Sequence, residues 1–323
     1  MKKSGRNFLI GVGAAVAGVA SIAVATYQIT NSLMNMAMDR NVKKDLSKGK
    51  KIISGGAEYP ELAEKIAEAS KIFESKNLEK VEIVAEDGCK LVGHWYPCEN
   101  PKRIIIAMHG WRSSWSHDFC AIADFWHNNG CSVLYPEQRG QGSSGGDYIG
   151  FGLLERYDCL QWANWISEYT NTDLPVYLAG VSMGATTVLM TAGFELPSNV
   201  HGIMADCGFT SPHAIWKHVV EKNLRMSYGI YSAAANDLCR KRINVGANDY
   251  STIEAMQNCK TPVLFIHGTD DKFVPIEMTY ENYKACNAEK RLLIVPGAEH
   301  GMSYTVDKEK YEKTTLEFWN DFD

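Results

Sequence analysis

From residue 104 to the C-terminus, short apolar runs alternate with longer helical patterns, and this alternation limits the chain to one broad architecture. The runs lie at 104–108, 133–135, 176–179, 202–205, 263–266 and 292–295. Between and after them, apolar spacing predicts helices at about 116–129, 151–169, 183–194, 277–286 and 307–320. Runs this short and this apolar are strands covered on both faces, and the helices between them are crossovers. The expected fold is therefore α/β, with a mostly parallel central sheet flanked by helices. An amphipathic helix at 61–76 and a hairpin at 81–84 and 91–96, turning at Glu86-Asp87-Gly88, precede the alternation. A chain of 323 residues is long enough for one large domain of this kind.

One interval is too long for a crossover. Between Asp206 and Pro262 the pattern predicts helices at about 212–224 and 227–242 and a short one from Ser251. A helical insertion at about 209–258, at one fixed place on a parallel sheet, is a candidate cap or substrate pocket.

Charge divides the chain. Residues 1–54 hold nine Lys/Arg and two acids, a net of +7, so the remainder of a chain with net charge −5 carries −12. That balance argues against nucleic-acid binding. Within the basic head, residues 8–25 include no charged side chain, and mild apolar character continues to about residue 27. A run of this length predicts an N-terminal membrane anchor, followed by a basic linker up to residue 54 and a single domain over 55–323. Lys2, Lys3 and Arg6 precede the run, which favours an N-terminus inside and a domain outside the membrane. The alternative is a secreted chain, cleaved after Ala23-Val24-Ala25. The nine cysteines have no C-x₂-C spacing, so they read as reduced thiols, and no metal is expected.

The chemistry is carried by a few short segments. Gly180-Val181-Ser182-Met183-Gly184 has a strand pattern before it and a helix pattern after it, the setting of a nucleophile elbow. A second match, Gly142-Ser143-Ser144-Gly145-Gly146, has no strand before it, and Ser144 reads as a turn residue. A serine hydroxyl needs a base oriented by an acid. His300, just after the last strand, is the candidate base; the candidate acids are Asp271, its neighbour Asp270, and Asp206 at the end of an earlier strand. An oxyanion hole needs two backbone amides. Met183, next to the nucleophile, offers one, and Trp111 in His109-Gly110-Trp111-Arg112 offers the other, unless Trp111 serves only as a pocket wall.

These segments, with Gln138-Arg139-Gly140-Gln141-Gly142-Ser143, His267–Pro275 and Gly297-Ala298-Glu299-His300-Gly301, occur in the order seen in α/β-hydrolases. Over about residues 80–322 the chain resembles the bacterial, N-terminally membrane-anchored branch of these serine hydrolases, esterase or serine-aminopeptidase-like. The resemblance implies that Asp271 is the acid and that the insertion is the family's cap. Glu137 and Gln141 depart from the pattern, but in a segment whose role is structural. What it implies is hydrolysis of a small-molecule carboxylic ester through an acyl-enzyme on Ser182, without cofactor or metal. Peptidase, aminopeptidase or thioesterase activity would use the same triad, and a membrane-tethered binding protein is the non-catalytic alternative. The sequence does not fix the oligomeric state.

Overall fold

A computed structural model describes residues 3–42, 60–76 and 78–323. Strands β1 (Glu79–Val84) and β2 (Lys90–Tyr96) form the expected hairpin, turning where Gly88 takes φ +82°. Then follow β3 (Arg103–Met108), β4 (Cys131–Glu137), β5 (Val176–Val181), β6 (Val200–Asp206), β7 (Val263–Gly268) and β8 (Lys290–Val295). They make one eight-stranded sheet in the order β1-β2-β4-β3-β5-β6-β7-β8. All pairings from β4 to β8 are parallel, and the hairpin adds the antiparallel edge. Every residue of β3 and β7 is buried, which is why these strands read as continuous apolar runs rather than alternating ones. The chain leaves β3 toward β4 on one side and returns to β5 on the other. The carboxyl ends of β3 and β5 therefore lie at the point where strand order reverses, the usual place for a site in such sheets.

Helices α1 (Lys3–Met38) and α2 (Pro60–Glu74) precede the sheet. The stretch expected as one helix at 116–129 is two, α3 (Trp115–Phe119) and α4 (Ala123–Asn128). The helix expected from 151 begins later, as α5 (Glu155–Thr170), because the buried Glu155 carboxylate accepts from the Gly150 and Gly152 amides at 2.6 and 2.8 Å and holds a turn before it. Next come α6 (Met183–Thr191), buried along its whole length, α7 (Pro212–His218) with a wide turn at Val219–Asn223, α8 (Tyr228–Ile243) and α9 (Thr252–Asn258). The last three are α10 (Ile276–Ala285), α11 (Ser303–Val306) and α12 (Lys308–Phe322). One sheet face packs Trp162, Ile166 and Val188, and the other packs Phe119, Trp126 and Trp319. A third apolar cluster joins Met34 and Met38 of α1 to Phe151, Phe209 and Trp216.

That cluster corrects the expectation of a membrane anchor. No helix among the described residues is long and apolar enough to cross a membrane. The end of α1 packs on the domain instead: Thr30, Met34 and Met38 are buried, and Arg242 of α8 donates to the Asn31 and Asn35 side chains at 2.9 and 2.6 Å, while Ile22, Val24, Tyr27 and Ile29 stay exposed. Each buried methionine contributes about 1.5–3 kcal/mol of burial, so residues 30–38 of the helix belong to the protein's own core. The membrane association and the anchored location that rested on a spanning helix have no support in the structure. Of residues 8–20 only the backbone is described, and the basic linker lies, from residue 43 to 59, outside the described residues.

The Gln138–Ser143 segment is a structural clasp. Arg139 donates to both Asp158 carboxylate oxygens and to Asp87. Ser144 is buried; its hydroxyl donates to the Glu137 carbonyl at 2.5 Å and accepts from the Val92 amide at 2.9 Å. Ser144→Ala strips a donor and an acceptor of their partners and should cost about 1–3 kcal/mol of stability. Urea unfolding should show a lower midpoint at an unchanged slope.

Candidate active site

At the end of β5 the chain turns straight into α6, and Ser182 is the turning residue, with φ 57° and ψ −118°. A side chain in this region costs about 1–3 kcal/mol of strain. The turn is possible because its flanks are glycines. A Cβ on Gly180 would lie 2.3 Å from the Gly184 carbonyl group, and one on Gly184 would lie 1.8 Å from the Met108 oxygen. With no side chains in the way, α6 starts against the end of β3. The Ser182 amide donates to the Asp206 carbonyl at 2.8 Å, which ties the elbow to β6.

His300 follows β8 in a loop whose Gly297 and Gly301 both take positive φ. Its Nε2 lies 2.8 Å from Ser182 Oγ and its Nδ1 2.7 Å from Asp271 Oδ2. Asp271 follows β7 and is buried. Its Oδ1 accepts from the Phe273 and Val274 amides, both at 2.9 Å, and Oδ2 also meets His267 Nε2 at 3.1 Å. His267 Nε2 faces the Val274 carbonyl too, at 3.0 Å, so that nitrogen carries the proton, while Nδ1 accepts from the Thr279 hydroxyl at 2.7 Å. Burial alone would raise the Asp271 carboxyl, but His300 and His267 override it and hold it well below the usual carboxylate range. Burial alone would lower His300, but the Asp271 charge overrides that and holds the imidazole well above an ordinary histidine.

The other two candidate acids sit elsewhere. Asp270 is exposed and accepts from the Thr269 hydroxyl at 2.7 Å. Asp206 accepts from the Ser303 hydroxyl at 2.9 Å, and burial pushes its carboxyl up to about 6.

The loop after β3 passes beside the elbow. A Cβ on Gly110 would lie 3.4 Å from Ser182 Cβ. The Gly110 amide is committed to Asp118 Oδ2 at 2.6 Å, which leaves Trp111 as the next amide along the loop. Met183 is the first residue of α6, so its amide has no carbonyl within the helix to donate to. His109 anchors the loop from below: its Nε2 accepts from the Gln138 amide at 3.1 Å and its Nδ1 donates to the Gly110 carbonyl at 2.8 Å. The Trp111 indole Nε1 donates to the Ala37 carbonyl of α1 at 2.8 Å.

Two cavities meet at Ser182. One, of about 410 Å³, is mixed in character and includes Ser113, His117, Asp118 and His300. The other, of about 240 Å³, has no charged residue in its lining and includes Trp111, Phe151, Trp216 and Phe273. Three neighbours of the site carry no sequence signal of their own. Phe273 sets its ring edge-on to His300, with centroids 5.0 Å apart. Asp118 holds Gly110. Cys207 is buried beside His300, at φ 51°. Among the described residues, Cys207, Asp271 and His300 bring three metal-capable atoms within 4.8 Å of one another. Two of them are already bonded to each other, and burial pushes the Cys207 thiol up to about 11 and keeps it protonated. This arrangement serves proton transfer better than metal ligation.

Comparison with known proteins agrees with the fold. The family model for the prolyl oligopeptidase family, peptidase S9, matches residues 117–322. The uncharacterized protein YqkD of Bacillus subtilis is 30% identical over 261 residues, covering 76% of this chain and 82% of that protein. YfhR of Escherichia coli K12, also uncharacterized, is 24% identical over 229 residues, 69% of this chain and 73% of that one. The Pyrococcus furiosus esterase Pf2001 superposes with a TM-score of 0.61 at 22% identity, over 76% of this chain and 91% of that structure. With the family model matching well over half its length, the chain belongs to the prolyl oligopeptidase family of α/β-fold hydrolases.

Proposed function

We propose that this hydrolase is a carboxylesterase working through an acyl-enzyme on Ser182. The observation that carries the reading is the unbroken relay from Ser182 Oγ through His300 to Asp271, opening onto a cavity without charge. His300 Nε2 takes the Ser182 proton as Oγ attacks the ester carbonyl, and Asp271 steadies the imidazolium that results. The Met183 and Trp111 amides face the developing oxyanion, a contribution of about 2.7–4 kcal/mol per donor in comparable sites. His300 then protonates the leaving alcohol, and water reverses the sequence to release the acid. No step calls for a metal or cofactor.

Peptidases share this machinery, and the family's name includes them. The apolar cavity favours an ester reading with an apolar acyl group, because a peptide's charged or amide groups would be buried there without partners. On a series of p-nitrophenyl esters, kcat/KM should rise from acetyl upward by about fourfold per methylene until the cavity is full, the value of about 0.8 kcal/mol per buried CH₂. Aminoacyl p-nitroanilides should be poor substrates. Ser182→Ala should lower kcat on the order of 10⁶-fold. Retained turnover, or a preference for the anilides, would overturn the reading.

The relay also sets the pH response. Only neutral His300 accepts the serine proton, so kcat/KM should rise with pH through an inflection above the ordinary histidine value of about 6.5. Asp271→Asn removes the charge that raises His300 and leaves the burial that lowers it. The inflection should therefore move down while activity falls on the order of 10⁴-fold. Asp270→Asn should leave both the rate and the profile near those of the wild type.

A further inference from the structure

We infer that the C-terminal part of α1, residues 30–38, is a wall of the substrate site and the element that sets acyl-chain length. The inference rests on the esterase reading and names what that site takes: an ester whose acyl chain lies between α1 and the cap.

The cavity itself argues for it. Thr30, Leu33, Met34, Met36 and Ala37 of α1 form one side, and Trp216, Tyr228 and Tyr231 of the cap stand in the same lining. Ser182 and Trp111 also line it. An acyl group bonded to Ser182 Oγ has this apolar space within reach. Without α1 the space would be an open groove, and the chain's methylenes would stay partly in water.

The attachment of the helix argues for it independently. The last carbonyls of a helix have no amide of their own to receive, and here they receive the proposed oxyanion loop. Arg112 donates to the Met36 carbonyl at 2.9 and 3.2 Å and to the Asp39 carbonyl at 2.7 Å. Trp111 Nε1 takes the Ala37 carbonyl between them. A guanidinium at this end also complements the negative pole of the helix. Arg112 stands at φ 49°, a strained conformation that persists because these contacts hold it. Just beyond the helix, the Ile149 amide donates to the Met38 carbonyl at 2.7 Å, and Arg40 donates to three carbonyls of the 142–146 turn. The segment is thus clipped to two neighbouring stretches of chain, and one of them is the loop that carries Trp111.

Leu33 is half-buried and faces the cavity, so its size can be changed in either direction in the full-length protein. Leu33→Trp should fill the space and lower the ratio of octanoyl to acetyl kcat/KM by tenfold or more. Leu33→Ala should enlarge it and move the preferred chain longer by one or two methylenes. Should Leu33→Trp lose its cooperative melt, the truncation alone reads the wall. An acyl-length profile that stays at the wild-type shape in the folded variants overturns the inference and leaves the esterase reading intact. Failure of that reading has a different signature: a wild-type protein that turns over none of the esters, or turns them over equally after Ser182→Ala.

Discussion

The elbow exists because two residues have no side chains. Gly184 presses the start of α6 onto the Met108 carbonyl, and Gly180 lets the strand end touch the helix it feeds. Any Cβ at either place would drive α6 away from β3. The distance between the Met183 amide and the loop at Gly110 and Trp111 would then open, and Ser182 would lose the strained geometry that lifts its hydroxyl off the sheet. The rest of the site is built outward from that contact. β6 holds the elbow through the Asp206 carbonyl, and the loops after β7 and β8 bring Asp271 and His300 to it.

Electrostatics in the site are a balance of burial against pairing. Burial alone would keep Asp271 neutral and His300 neutral. Together they reverse both tendencies, because each is the other's nearest opposite charge. The carboxylate is supported further by two amides and by His267, whose proton is fixed on Nε2 by the Val274 carbonyl. Asp206 shows the contrast. With one hydroxyl donor and full burial, its carboxyl is pushed up to about 6 instead of down. The difference in partners, not in residue type, separates the carboxylate proposed as the acid from one bonded only to a serine hydroxyl.

Much of this was legible in the chain, and the exceptions have physical reasons. The strands and crossover helices declared themselves because buried strands leave unbroken apolar runs. Ser182 stood apart from Ser144 because only Ser182 lies directly between a strand and a helix. Asp270 and Asp271 are indistinguishable by local pattern, since a neighbouring carboxylate has the same chemistry. Only the tertiary contact with His300 separates them, and the family resemblance supplied that choice in advance. The N-terminal segment misled for a related reason. Eighteen uncharged residues have the composition of a membrane span, and apolar composition does not tell that the helix runs on past them into residues 30–38, which pack on the domain. The contacts that dock α1 use its backbone carbonyls and a pair of asparagines, which leave no trace in a hydropathy pattern. Phe273 and Cys207 were equally silent, because each reaches the site from the turn after a strand and through the fold alone.

The central claim is that one serine is activated, and the direct test is to let it react. The protein should be treated with a fluorophosphonate, digested, and the modified peptide identified by mass. The account predicts a single adduct on the peptide containing Ser182. An adduct on another residue, Ser144 included, or no adduct on the folded protein, would contradict it.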